Sequence, residues 1–244
     1  MISIITINYN NATGLERTLK SIEEQTYRNF ELIIVDGGST DEFSKIVTQY
    51  SEIITRMVSE KDRGISHAFN KGIHMSKGNW LLFLNSGDYF ADKDALKNAI
   101  TELDIEYDFV QFNVFLCDNE GKVLLTIPKH KGNKMYSLAH QGIFHNRNFF
   151  DKAGDFSECY RIIMDYDMEL RLKDLQVKYC DYALTYMPND GVSNRNVKRV
   201  FRENLACYLL NLPEKKVLTL ILLYYYRLLK FYIKVLLKAC KIIK

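Results

Sequence analysis

Two short carboxylate-bearing segments in this 244-residue chain have the composition of a working site. The first lies in NWLLFLNSGDYF, residues 79–90, where an apolar run from Trp80 to Leu84 breaks into Asn85-Ser86-Gly87-Asp88. A segment built for burial thus ends by presenting a carboxylate on a glycine-containing turn. A hard divalent cation that keeps several waters needs one or two protein carboxylates, the remaining oxygens coming from a substrate phosphate. Asp88 suits that work; a surface turn capping the next helix is the plainer alternative. The second run, MDYDMEL, crowds Asp165, Asp167 and Glu169 together. On a helix, Asp165 and Glu169 share a face while Asp167 points away. Such a carboxylate can take a proton from a hydroxyl, or it can be a solvated helix start favoured by the helix dipole.

The elements that must position these residues alternate regularly through the first ninety residues. ISIITI (residues 2–7), FELIIVD (residues 30–36), IITRMVS (residues 53–59) and WLLFL (residues 80–84) read as strands, the third the weakest. Helical spacing at Leu15, Leu19 and Ile22, and a further helix around residues 65–75, fill the gaps between them. Strand–helix alternation of this length predicts an α/β fold with a mainly parallel central sheet covered by helices on both faces. Ligands bind beyond the carboxyl ends of such strands. Those ends carry Asn8-Tyr9-Asn10, then Asp36 with Ser39 and Asp41, then Asn85 and Asp88. Past Asp92 the rhythm changes to a hairpin turning at Asn119-Glu120-Gly121, the mixed segment HQGIFHNRNFF, the acidic helix, and the strand VKYCDYALTYMP. The expected division is a nucleotide-type half over residues 1–91, a second half over residues 92–212, and a tail over residues 213–244.

Composition narrows the class. The chain is 47% hydrophobic and 26% charged, ordinary values for a folded globule. Its five cysteines are odd in number and widely spaced, which fits a reduced, cytoplasmic protein better than a disulfide framework or a zinc site. The start MISIITINYN carries no basic region or cleavage site, so no signal peptide is expected. Residues 213–244 hold eight Lys/Arg against one Glu, whereas the preceding 212 residues hold 25 basic against 29 acidic ones. A mildly acidic globule argues against nucleic acid as a partner and marks the tail as a separate element.

Several ordered motifs carry a family resemblance. ISIITINYNNATGLERTLKSIEEQTYRNFELIIVDGGSTD and SEKDRGISHAFNKGIHMSKGNWLLFLNSGD resemble the start of family 2 glycosyltransferases, which share the nucleotide-sugar-binding fold called GT-A. HQGIFH, IMDYDMELRL and NDGVS are similar to that family's acceptor-side segments, so the likeness runs from residue 2 to residue 193. It is nearest to the subgroup that builds bacterial exopolysaccharide, capsule or lipopolysaccharide. The resemblance implies inverting transfer of a sugar from a nucleoside diphosphate, a UDP-sugar first among them, to a hydroxyl of a lipid-linked glycan, with Mg²⁺ or Mn²⁺. It implies that Tyr9 and Asn10 lie against the base or ribose, that Asp36 bonds the base with Ser39 nearby, and that Asp62 lies near the ribose or sugar. Asn70 and Gly72 shape the loop beneath.

Relatives often have two consecutive acids where this chain has Asp36-Gly37, and an acid where it has His67, which therefore receives no role. Asp88 takes the metal role of the family's Asp-x-Asp motif, with Asn85 in place of its first acid and a weaker ligand. Asp165 falls where the general base stands, and His140 and Gln141 line the acceptor side. NDGVSN, residues 189–194, forms either a turn near the diphosphate or a plain loop.

In the tail, Arg227, Lys230, Lys234, Lys238, Lys241 and Lys244 fall within a wedge of roughly 100–120° on a helical wheel, opposite Leu228, Leu229, Tyr232, Val235, Leu236, Ile242 and Ile243. The longest uncharged stretch, residues 217–226, is ten residues, too short for a span of about 20. A basic amphipathic helix on an anionic membrane surface is expected, which places the enzyme on the inner face of the cell membrane. A helix packed on the globule or on another subunit is the alternative. Two other readings remain at this point: a polyprenyl-phosphate glycosyl synthase, and a non-catalytic assembly partner that keeps the fold.

Overall fold

The first strand, β1 (Ile2–Asn8), is β-branched at five of its seven positions and buried almost throughout, which fits it for the middle of a parallel sheet. The computed structural model describes residues 1–118, 121–125, 139–172, 175–188, 191, 196–211 and 217–239. By chain contacts it divides into two units, residues 1–191 and residues 192–244.

In the first unit β1 lies between β2 (Phe30–Asp36) and β4 (Trp80–Phe83), and β3 (Arg56–Ser59) lies outside β2, all parallel. The third predicted strand thus covers only the second half of IITRMVS. The register sets Asn8 directly beside Asp36, so the two polar strand ends meet across one rung. Helices α1 (Ala12–Glu23), α2 (Phe43–Gln49) and α3 (Ile65–Met75) connect these strands. Alternation of side chains along β1 serves both faces. Ile2 and Ile4 join Leu15, Leu19, Ile22, Phe43 and Ile46 in one core layer. Ile5 faces α3, where a Cβ at Gly72 would lie 2.4 Å from its Cγ2. Helices therefore cover both faces, as the alternation predicts.

The sheet continues beyond β4 in mixed order. Its strands run β3-β2-β1-β4-β8-β6-β9-β5, with β7 pairing off β6. Here β5 is Tyr89–Phe90, β6 Phe109–Asp118, β7 Gly121–Leu125, β8 Ile143–Asn146 and β9 Val177–Pro188. Strand β8 is antiparallel to both β4 and β6, whereas β6 runs parallel to β9. The sheet is parallel through its first four strands and mixed through the rest, because a hairpin and short returns replace helical crossovers after residue 92. The predicted hairpin is present as β6–β7, with Asp118 opposite Gly121; residues 119–120 of its turn lie outside the described residues. Short helices α4 (Ala95–Ile100), α5 (Arg147–Ala153) and α6 (Met164–Arg171) complete the unit, with a 3₁₀ turn over His140–Gly142.

On the α3 side an aromatic layer fills the second half. The Phe69 and Phe83 ring centroids are 4.7 Å apart, those of Phe109 and Phe149 4.5 Å, and Phe83 meets His145 edge-on at 5.4 Å. Contacts of this kind are stabilising beyond the area they bury.

In the second unit α7 (Val197–Asn211) and α8 (Val217–Ala239) pack together, with Phe201 against Tyr224 and Phe231.

Candidate active site

At the β1 and β2 ends the Asp36 carboxylate is fully buried and fully partnered. Its Oδ1 accepts from Asn8 Nδ2 at 2.8 Å and Ser39 Oγ at 2.5 Å. Its Oδ2 accepts from the Ser39 amide at 2.8 Å, the Gly38 amide at 3.1 Å and Ser59 Oγ at 2.7 Å. Burial by itself pushes the group up, but hydrogen bonds from Ser39, Ser59 and Asn8 outweigh it and hold Asp36 below the usual carboxylate range. An oxygen offered directly to a base, as the resemblance implies, is not what this geometry presents. Asp36 instead fixes the loop that carries Gly38 (φ +81°) and Ser39. The Ser39 hydroxyl in turn accepts the Asn10 amide at 2.7 Å, and Asn10, at φ 48°, accepts the Thr40 amide at 2.9 Å.

Tyr9 stands 66% exposed beside this loop. A Cβ at Gly37 would come within 3.1 Å of the Tyr9 ring and 3.3 Å of Asp62 Oδ2. A side chain at residue 37 would need the Tyr9 ring and the Asp62 carboxylate to give by a few tenths of an ångström. Asp62 shares this wall, with Oδ1 held by Lys71 Nζ at 2.7 Å and His67 Nδ1 at 3.1 Å. Lys71 also pairs with Glu60 at 2.8 Å. His67, given no role from sequence, thus helps to fix Asp62. Asn70 and Gly72 are elsewhere. Asn70 is buried and clips the Phe156 backbone at both ends, Nδ2 to the carbonyl and Oδ1 from the amide, each at 2.9 Å. Gly72 is the close-packing point against Ile5. Both hold α3 in place, and neither faces the Tyr9 wall.

The loop after β4 is built on Thr18. Its hydroxyl lies 2.7 Å from the Asp88 carbonyl and accepts the Gly87 amide at 3.0 Å, while Gly87 sits at φ +108°, a conformation that excludes side chains. The Asp88 carboxylate accepts from the Asn85 amide at 2.9 Å and from the Gln141 side chain. Burial pushes it up to about 7, against the lowering from those bonds. Asn85 Oδ1 is buried and has no hydrogen-bond partner. Gln141, placed on the acceptor side by resemblance, therefore contacts the Asp88 loop. Among the described residues no group of three or more His, Cys, Asp or Glu side chains gathers as a metal centre. One carboxylate and one unpartnered amide oxygen on the same tight loop nevertheless fit a hard cation whose other oxygens come from diphosphate and water.

Asp165 begins α6. Its Oδ1 accepts the Tyr166 amide at 2.9 Å, and its Oδ2 lies 3.6 Å from His140 Nε2. Burial pushes its carboxyl above the usual range, with His140 opposing. Glu169, one turn on, is pushed much higher, first by burial and then by Asp165. Sequence spacing put these two on one face, but only the fold reveals that both are partly buried there. Asp167 turns the other way and is clamped by Arg171. Of NDGVSN, only Gly191 lies within the described residues.

These parts form one continuous arrangement. Asn8 donates to Asp36 and accepts from Ser86 Oγ at 2.7 Å, which joins the first two strand ends to the Asp88 loop. Asp88 meets Gln141, whose neighbour His140 faces Asp165. The sequence places Asn8 and Ser86 at strand ends without giving either a role, and does not single out Thr18, because nothing distinguishes such a polar residue until its partner is known.

The parallel half-sheet with polar strand ends and a mixed second half defines a GT-A glycosyltransferase. The chain belongs to the family described as Glycosyl transferase family 2, whose profile matches residues 3–169. It is 29% identical over 214 residues, 84% of this chain and 84% of the relative, to a PGL/p-HBAD biosynthesis glycosyltransferase of Mycobacterium bovis. In structure it is similar to S. aureus TarS 1–349 in complex with UDP-GlcNAc, with a TM-score of 0.68 and 19% identity over 94% of this chain and 73% of that one. It is also similar to the mannosyltransferase PcManGT of Pyrobaculum calidifontis in complex with GDP-Man and Mn²⁺, at a TM-score of 0.64 and 17% identity, covering 92% and 69%.

Proposed function

We infer that this glycosyltransferase moves a sugar from a UDP-sugar to a hydroxyl of a lipid-linked glycan in cell-surface polysaccharide synthesis, with inversion at the anomeric carbon. The observation that supports this reading is that hydrogen bonds link Asp36 to Asn8, Asn8 to Ser86 and Asp88 to Gln141, while His140, next to Gln141, lies 3.6 Å from Asp165. Tyr9, exposed beside Gly37, offers a ring face to the base. Asn10, Asp36 and Ser39 hold the loop beneath it, and Asp62, fixed by Lys71 and His67, lies toward the ribose. Asp88, with Asn85 Oδ1, would hold Mg²⁺ or Mn²⁺, which when bound neutralises the charge of the departing diphosphate. Asp165 removes the acceptor hydroxyl proton. The acceptor oxygen then forms its bond to the anomeric carbon as the carbon–oxygen bond to diphosphate breaks, the electron pair leaving with the nucleotide. A single displacement inverts the centre, so an α-linked donor gives a β-linked product, read from the anomeric proton coupling by NMR. A product with the donor's configuration contradicts this mechanism.

The tail supports the membrane part of the proposal. Leu218, Leu222, Tyr225, Leu229, Tyr232 and Leu236 are all exposed and follow one another at steps of four and three residues. They form one apolar stripe along α8. No helix among the described residues is long and apolar enough to cross a membrane. A helix lying in the plane of an anionic surface buries the stripe, and each nearby Lys or Arg adds about 1 kcal/mol. Replacing Leu222 and Leu229 together by Asp is expected to abolish co-sedimentation with anionic phosphatidylglycerol vesicles while transfer to a water-soluble acceptor continues. Unchanged sedimentation would count against membrane docking.

A further inference from the structure

We propose that His140 is a positioning residue for Asp165, directing a single N–H at its carboxylate, rather than a contact for the acceptor. The inference rests on the reading of Asp165 as the base. The ring is enclosed by aromatic neighbours: Phe69 at 5.9 Å, His145 at 5.2 Å, Phe83 at 5.5 Å and Phe156 at 5.7 Å between centroids. A phenylalanine would satisfy that cage as well, so the imidazole needs a reason. Its reason is Nε2, which faces Asp165 Oδ2 at 3.6 Å, while Nδ1 is buried without any hydrogen-bond partner.

The turn that carries the ring is pinned on both sides. A Cβ at Gly142 would lie 2.6 Å from the Phe112 carbonyl, and the Gln141 carbonyl accepts the Thr185 hydroxyl at 2.9 Å. The ring therefore has little freedom to turn elsewhere.

A neutral imidazole carries one proton, and which nitrogen holds it is set by the partners available. With nothing at Nδ1 and a carboxylate at Nε2, the proton belongs on Nε2. Burial keeps the ring neutral by pushing its pKa down, so the N–H is supplied without a competing positive charge. The separation exceeds a formed hydrogen bond, and catalytic contacts of this kind shorten when substrate is bound. Asp165 interacts electrostatically with His140 from the turn and with Glu169 from its own helix. His140 is faced by Asp165 and, in its stack, by His145. Once Asp165 has taken the acceptor proton, the same N–H still lies against its other lone pairs, so the carboxyl keeps one orientation through the step.

The test compares wild type with His140→Phe and His140→Gln in the full chain. His140→Phe is expected to lower kcat about 10–100-fold, part of what a positioned base contributes. The donor Kd stays within about twofold. The acidic limb of the kcat profile moves to higher pH, because a carboxylate without its donor protonates more easily. His140→Gln, whose amide N–H reaches the same direction, recovers part of kcat and part of the limb. In wild type, ¹⁵N NMR of the histidine side chains shows a protonated Nε2 for His140, which requires no variant to fold.

Wild-type kcat and an unmoved limb in a folded His140→Phe protein overturn the inference. So does a raised acceptor KM with kcat and limb unchanged, or an Nδ1–H tautomer. Asp165→Asn separates the failures: turnover retained there removes the base itself, whereas an inactive Asp165→Asn beside a normal His140→Phe removes only the role of His140.

Discussion

Asp165→Asn is expected to lower kcat for sugar transfer by about 10²–10⁴-fold, with the donor Kd within about twofold of wild type. The amide keeps the shape and still accepts the Tyr166 amide, but it cannot take a proton from the acceptor. Asp165 is pushed up by burial, so wild-type kcat should rise with pH along a limb that lies above the ordinary carboxylate range. Glu169 is also pushed up, first by burial and then by Asp165. The two carboxyl groups are coupled, so the pair titrates together.

The linkage has a definite sign. A carboxyl harder to ionise in the folded chain than in the unfolded one favours folding below the unfolded value of about 3.9, and that contribution is lost as pH rises through the raised value. Removing it should leave the melting temperature at neutral pH unchanged or higher, so lost turnover cannot be ascribed to unfolding. Steady-state kinetics over a pH series, with a melt of each protein, check both halves. Near-normal turnover in Asp165→Asn would favour an acceptor that is already anionic, such as a polyprenyl phosphate, which needs no base.

Asp88→Asn is expected to cost on the order of 10²-fold or more in kcat and to remove its saturation by Mn²⁺. The substitution keeps an oxygen that can accept the Asn85 amide, so the loop on Thr18 should persist. What is lost is the one carboxylate among the proposed cation ligands, leaving two amide oxygens against a hard divalent ion. Turnover measured across a Mn²⁺ titration, with and without EDTA, reads the effect. A variant with wild-type rate and wild-type cation dependence would move the metal away from Asp88.

Much of the first half was legible because its signals are local. Continuous β-branched runs gave β1 and β2, and Asn8 through Asn10, Asp36 and Asp88 fell at strand ends where an open parallel sheet binds ligands. The mixed order of β8, β6 and β9 was not legible, since pairing between distant strands leaves no periodic trace in any one of them. Site residues divide in the same way. Asn70 and Gly72 carry the right motif, but the structure shows one clipping Phe156 and the other packed on Ile5, contacts made across long sequence separations. His67 beside Asp62, and Gln141 beside Asp88, required the fold for the same reason. Glu169 looked like solvated helix surface because nothing in MDYDMEL announces that its side of α6 is partly covered.

The most direct test asks whether these strand ends hold an activated sugar at all. Thermal melts of the full chain with UDP-sugars and GDP-sugars, each with and without Mn²⁺, should find a donor that at 100-fold its Kd raises the melting temperature by about 5–10 °C, more with the cation than without. Asp88→Asn should keep the nucleotide's own contribution and lose the cation's. If no nucleotide sugar shifts the melt in either condition, Asp36, Asp88 and Asp165 do not serve one donor site, and the proposed chemistry is contradicted.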